Sequence, residues 1–148
     1  MPNELVTDYC KQLGLSQILT DRVTSIADQY AKISPEKIHG IFISEYIKED
    51  GERVLENVWF FTESLALEAK QFIAKDNYDF AVYKSVKYIR FEKTEYDFSK
   101  ATTLSRMNIR VTFENDITGE LKASRENCDA LRDIALKLWM PRLLSDSS

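Results

Sequence analysis

A chain of 148 residues with ordinary globular proportions of apolar and charged side chains is expected to form one domain with a substantial core of its own. Its net charge of −4 argues against a general affinity for nucleic acid or anionic membrane, both of which select basic surfaces. No run approaches the roughly 20 apolar residues of a membrane-spanning helix, and the polar start MPNELVTDYCKQLG is unlike a signal peptide, so the expectation is a cytoplasmic protein.

The first 33 residues read as two helices. Leu5, Tyr9 and Leu13, then Ile18, Leu19, Val23, Ile26, Tyr30 and Ile33, recur at spacings of three and four. Gly14 is suited to ending the first helix, Thr20 or Ser16 to capping the second, and Pro35 stops the pattern. From Lys37 the period changes to that of strands. KIHGIFISEYIK and ERVLENVWFFT flank Asp50-Gly51, a strong two-residue hairpin signal.

The segment that follows, FFTESLALEAKQF, supports two readings. Its Leu, Ala, Glu, Lys and Gln favour a helix over residues 65–73, whereas the alternation of Leu65, Leu67 and Ala69 with Ala66, Glu68 and Lys70 continues a strand. Thr62-Glu63-Ser64 makes a plausible tight turn and both flanks are strand-like, so we assign a strand. DNYDFAVY and YIRFEKTEYDF supply two more. In the second, the apolar parity shifts from Ile89 and Phe91 to Tyr96 and Phe98, which requires a bulge or bend near Lys93 to Glu95. RMNIRVTF places Met107, Ile109, Val111 and Phe113 on one face, with Asn108, Arg110 and Thr112 on the other. NDITG turns the chain into ELKAS. A closing helix carries Leu131, Ile134, Ala135 and Leu138 on one stripe, capped by Ser124 or Asn127 and ended or kinked by Pro141.

Two helices, about seven strands and a closing helix define an α+β chain with a bent antiparallel sheet or barrel. Over residues 37–140 this order resembles the pleckstrin-homology-like (PH-like) domains of bacteria. The resemblance is carried by VWFFTESLAL, SVKYIRFE and ENCDALRDIALKLW. It implies two nearly orthogonal sheets with the C-terminal helix capping one open end, and a strand rather than a helix after Thr62. The corresponding division is a helical pair over 1–36, a PH-like domain over 37–144 and a disordered tail over 145–148.

Little in the sequence carries recognisable chemistry. His39 is the only histidine and lacks a second histidine to share acid-base work. Cys10 and Cys128 are far apart in sequence and fit reduced buried thiols, and with one histidine they fall short of a zinc site. DNYD reads as a solvated turn rather than a calcium loop, and four scattered glycines form neither a P-loop nor a dinucleotide fingerprint. No cofactor, metal or catalytic residue is expected.

The charge, however, is uneven. Residues 84–110 hold seven basic and three acidic side chains, a local +4 that leaves −8 elsewhere. Lys84, Lys87, Arg90, Lys93, Arg106 and Arg110 are therefore the candidate partner-binding residues, with Glu92 and Glu114 expected to neutralise part of the patch. Members of the resembled family that bind inositol phospholipids use basic residues in the first hairpin, but here that hairpin is KEDGER, which disfavours membrane contact. The reading is a non-enzymatic protein-interaction or assembly module whose partner is another protein or a second copy. The alternatives are anionic lipid head-group binding, or a small-molecule site or enzyme assembled from distant strands. The helical pair packs on its own sheet or forms a homo-oligomer interface.

Overall fold

The computed structural model describes residues 4–34, 36–47, 53–70, 79–84, 86–97, 103–125 and 127–146. The Asp50-Gly51 hairpin signal, most of DNYD and residues 71–73 lie outside them. Helices α1 (Glu4–Leu13) and α2 (Gln17–Ile33) precede seven strands: β1 (Gly40–Ile47), β2 (Arg53–Phe61), β3 (Leu65–Lys70), β4 (Asp79–Lys84), β5 (Tyr88–Asp97), β6 (Thr103–Thr112) and β7 (Thr118–Ser124). Helix α3 (Asn127–Ile134), a π turn (Ala135–Trp139) and α4 (Met140–Asp146) close the chain.

The α+β class and the seven antiparallel strands agree with the sequence reading, but among the described residues the strands do not close into a barrel. They form a four-stranded sheet ordered β1-β2-β3-β4 and a three-stranded sheet ordered β5-β6-β7. By internal contacts the chain divides into two compact units, Met1–Ile43 with Glu56–Val82, and Ser44–Leu55 with Tyr83–Ser148.

In the first unit, α1 ends in a Schellman motif. Gly14 sits at φ 78°, its N–H donates to the Lys11 carbonyl, and the Leu15 N–H donates to that of Cys10. Ser16 caps α2, its Oγ accepting from the Leu19 N–H at 3.3 Å. The buried stripe of α1 is Val6, Tyr9, Cys10 and Leu13, one residue round from the expected Leu5 stripe, and Leu5 and Ile18 are exposed. The cause is geometric: Val6 and Cys10 complete the i, i+3, i+4, i+7 set with Tyr9 and Leu13.

The ambiguous segment is strand β3. It pairs antiparallel with β2, Phe60 opposite Leu67 and Val58 opposite Ala69, after a tight turn in which the Thr62 N–H donates to the Leu65 carbonyl. Residues 66–69 are all buried, as are Val58, Trp59, Phe60 and Phe61, so both faces of this strand pair are covered. That two-sided burial, about 1.5–3 kcal/mol for each large side chain, outweighs a helix propensity worth tenths of a kcal/mol per residue. Glu36 ties the C-terminal end of α2 to the turn, accepting from Thr62 Oγ1 and from Ser64 Oγ at 2.6 Å.

In the second unit, β6 presents Met107, Ile109 and Val111 to the core, followed by Phe113, which stacks on Tyr83 at 4.7 Å. The β5 to β6 register shifts between Glu92 and Glu95 and again before Tyr96, where the parity change required it. Helix α3 packs on β6 and β7. Of the two outcomes expected at Pro141, an end or a kink, the end is excluded: the helix continues, because the π turn, in which the Met140 N–H donates to the Ala135 carbonyl, shifts the ladder by one residue just before the imino acid that cannot donate. The same extra residue rotates the stripe, so Trp139 is fully buried in the place expected of Leu138. Helix α4 also includes residues 145 and 146 of the expected disordered tail.

Candidate functional site

Three of the six basic residues singled out by charge, Arg90, Arg106 and Arg110, fall on the polar face of the β5-β6-β7 sheet. Alternation sends Met107, Ile109 and Val111 inward, so Asn108, Arg110 and Thr112 face the other way. Across the three strands this face is built in rows: Tyr88, Thr112, Thr118; then Arg90, Arg110, Glu120; then Glu92, Asn108, Lys122.

Arg90 and Arg110 are directly opposite each other, a like-charge pair that cross-strand energetics disfavour. Arg110 is compensated. Its Nε lies 3.1 Å from Glu92 Oε1 and an Nη 3.8 Å from Glu120 Oε1. Glu92 acts as expected, but Glu120 takes the role expected of Glu114, which lies instead in the 3-10 turn Glu114–Asp116 after β6. Among the described residues Arg90 forms no ion pair, and it is exposed.

The other candidates are spread out. Lys87 is exposed immediately before β5, its N–H donating to the Thr112 carbonyl at 2.8 Å, which places it at the Tyr88 end of the face. Lys84 is exposed at the end of β4. Arg106 is half-buried opposite Glu95 and Ser124, four residues or about 13 Å along β6 from Arg110. Lys93 lies in the irregular stretch between Glu92 and Glu95. Asn108, expected on the exposed face, is buried. The six residues are therefore not one uniform patch. Arg90 and Arg110, directly opposite each other, are its contiguous part, and Lys87 lies three residues before Arg90 at the start of β5.

Two features of this region were not legible in the sequence. Tyr88 is 57% exposed on the polar face, and Phe91, expected inside, is 49% exposed because β5 is the terminal strand of its sheet. Edge position depends on which strands pair, and no local pattern encodes it.

Elsewhere the structure holds buried carboxylates. Glu45 on β1 is 1% exposed, and its Oε1 accepts from the Ser124 N–H at 2.8 Å and from Ser124 Oγ at 2.7 Å. Beside it Ser44 Oγ accepts from the Lys122 N–H at 3.0 Å. Two β1 side chains thus satisfy amides along the terminal strand β7. Ser124, expected as a helix cap, is committed to Glu45, while Asn127 is the first residue of α3. Glu45 continues the Ile41 and Ile43 parity, the one sequence signal that could have marked it as inward. Glu68 is also buried and accepts from Asn57 Nδ2 at 2.7 Å.

Cys10 and Cys128 are free and buried, and burial pushes the Cys10 thiol up to about 11. His39 is exposed and uses its backbone N–H on the Phe61 carbonyl. Among the described residues no three His, Cys, Asp or Glu are grouped as metal ligands, and no helix is long and apolar enough to cross a membrane. Comparison with protein-family models, with curated proteins and with solved structures gave no match to this chain.

Proposed function

We propose that this chain is a non-catalytic interaction module of PH-like architecture that takes an acidic protein segment at the start of β5. The architectural part is supported by the four-strand and three-strand order in chain sequence, the C-terminal helix on β6 and β7, and the two β1 side chains at the β7 edge. The observation that carries the binding part is Arg90: exposed, opposite a second arginine, and preceded along the chain by Lys87 and the exposed Tyr88. Uncompensated cation beside a solvated aromatic is the composition of interface contacts, and an acidic partner relieves the repulsion between Arg90 and Arg110.

The test is affinity capture from native extract with the wild-type chain and with a Lys84→Gln, Lys87→Gln, Arg90→Gln variant, read by mass spectrometry at low and high salt. The reading expects proteins retained by the wild type at low salt, lost from the variant, and released by salt. Equal retention by the two chains refutes it. Sedimentation with vesicles containing phosphatidylserine and phosphoinositide is the control for the lipid alternative, and binding there in place of protein capture replaces this reading.

A further inference from the structure

Resting on the reading of β5 as a contact surface, we propose that the partner it fits is a second copy of this chain, joined β5 to β5 in antiparallel register about a twofold axis at Phe91.

The terminal strands of the two sheets are not equivalent. On β1 the Ile43 N–H donates to the Tyr9 hydroxyl at 2.8 Å, and on β7 the amides of Lys122 and Ser124 are taken by Ser44 and Glu45. Strand β4 is six residues long, whereas β5 has ten. Among the described residues no side chain caps an amide of β5 between Tyr88 and Glu92. An uncapped edge of this length is a template for another strand.

The register follows from direction and charge. The Phe113 N–H donates to Ile117 on the β7 side and the Lys122 and Ser124 amides point off β7, so by alternation Thr112, Arg110 and Asn108 turn their peptide groups to Tyr88, Arg90 and Glu92, and the N–H groups of Ile89 and Phe91 point away from β6. An axis at Phe91 makes the two copies of Phe91, whose N–H groups point outward, a hydrogen-bonded pair, and sets Arg90 opposite Glu92 of the second copy as a non-hydrogen-bonded pair, where side chains approach most closely. On the polar face a row of the joined sheet then runs Glu120, Arg110, Arg90, followed by Glu92, Asn108 and Lys122 of the second copy. Arg90, opposed by Arg110 within its own chain, gains a carboxylate on its open side. The same contact covers the exposed Phe91. An axis one residue earlier would oppose two copies of Arg90, so charge selects between registers. The contact is isologous and closed, and the shift between Glu92 and Glu95 limits how far the ladder runs.

The experiment is sedimentation equilibrium of the full chain over a concentration series. Wild type is expected in reversible monomer-dimer exchange. Arg90→Glu and Glu92→Arg each turn both symmetric pairs from attraction to repulsion and weaken association about ten-fold or more. An equimolar mixture of the two variants recovers association, because each opposes the other with opposite charge, and the double variant self-associates like wild type. That recovery separates an interface effect from damaged folding. A monomeric wild type throughout the series, single variants that dimerise as well as wild type, or a mixture no stronger than its components overturns the proposal. A Lys84→Gln, Lys87→Gln variant, changed outside the pairing, is expected to lose capture of acidic partners while dimerising within about two-fold of wild type. Failure of self-pairing with that loss intact leaves the interaction-module reading standing.

Discussion

The contact between Glu45 and Ser124 gives the sharpest test of how the second unit is held together. Glu45 is 1% exposed and receives two hydrogen bonds, from the Ser124 amide at 2.8 Å and from its hydroxyl at 2.7 Å. Glu45→Ala removes the one oxygen, Oε1, that accepts both. The hydroxyl can turn to another acceptor, but the amide is fixed on the terminal strand β7 and Ser124 is buried, so that donor bears the larger cost. A lost hydrogen bond costs about 0.5–1.5 kcal/mol and a buried donor left without a partner about 1–3, so the substitution should destabilise by about 2–4 kcal/mol. For a chain of this size that corresponds to a fall in Tm of roughly 5–10 °C. Ser124→Ala, which deletes only the hydroxyl, should cost about 1 kcal/mol, and the double variant less than the sum because the pair shares one interaction. Urea unfolding followed by the fluorescence of the buried Trp59 and Trp139 measures all three. If Glu45→Ala unfolds within about 0.5 kcal/mol of wild type, the carboxylate does not secure the β7 edge.

Two further outcomes follow from burial. Because the Cys10 thiol is raised from 9.0 to about 11 by desolvation, its protonated form is favoured by folding, so the contribution is intact below pH 9 and lost as pH rises toward 11. Denaturant midpoints of wild type should therefore fall more steeply than those of Cys10→Ala across that window, and parallel curves would contradict the assignment. At the closing helix, Trp139→Ala should cost about 3–5 kcal/mol and Leu138→Ala well under half of that, as read by thermal unfolding; the reverse order would mean that the π turn does not set the register.

Where the pattern was local, the sequence alone determined the outcome. Gly14 and Ser16 mark the break between the first helices because only a left-handed residue and a side-chain acceptor satisfy those ends. Met107, Ile109, Val111 and Phe113 declare their face because a strand has a period of two, and the parity change in β5 demanded a bulge that is present. Tertiary structure decided whatever depended on neighbours distant in sequence. Residues 65–70, good helix formers, became a strand because β2 pairs with them and both faces are buried. The π turn displaced Leu138 by Trp139, and the edge position of β5 left Tyr88 and Phe91 in solvent. Charge shows the same division. Composition located the excess of basic residues, but only the strand register set Arg90 against Arg110 and placed Glu92 and Glu120 beside Arg110, because cross-strand partners are fixed by pairing and not by separation along the chain.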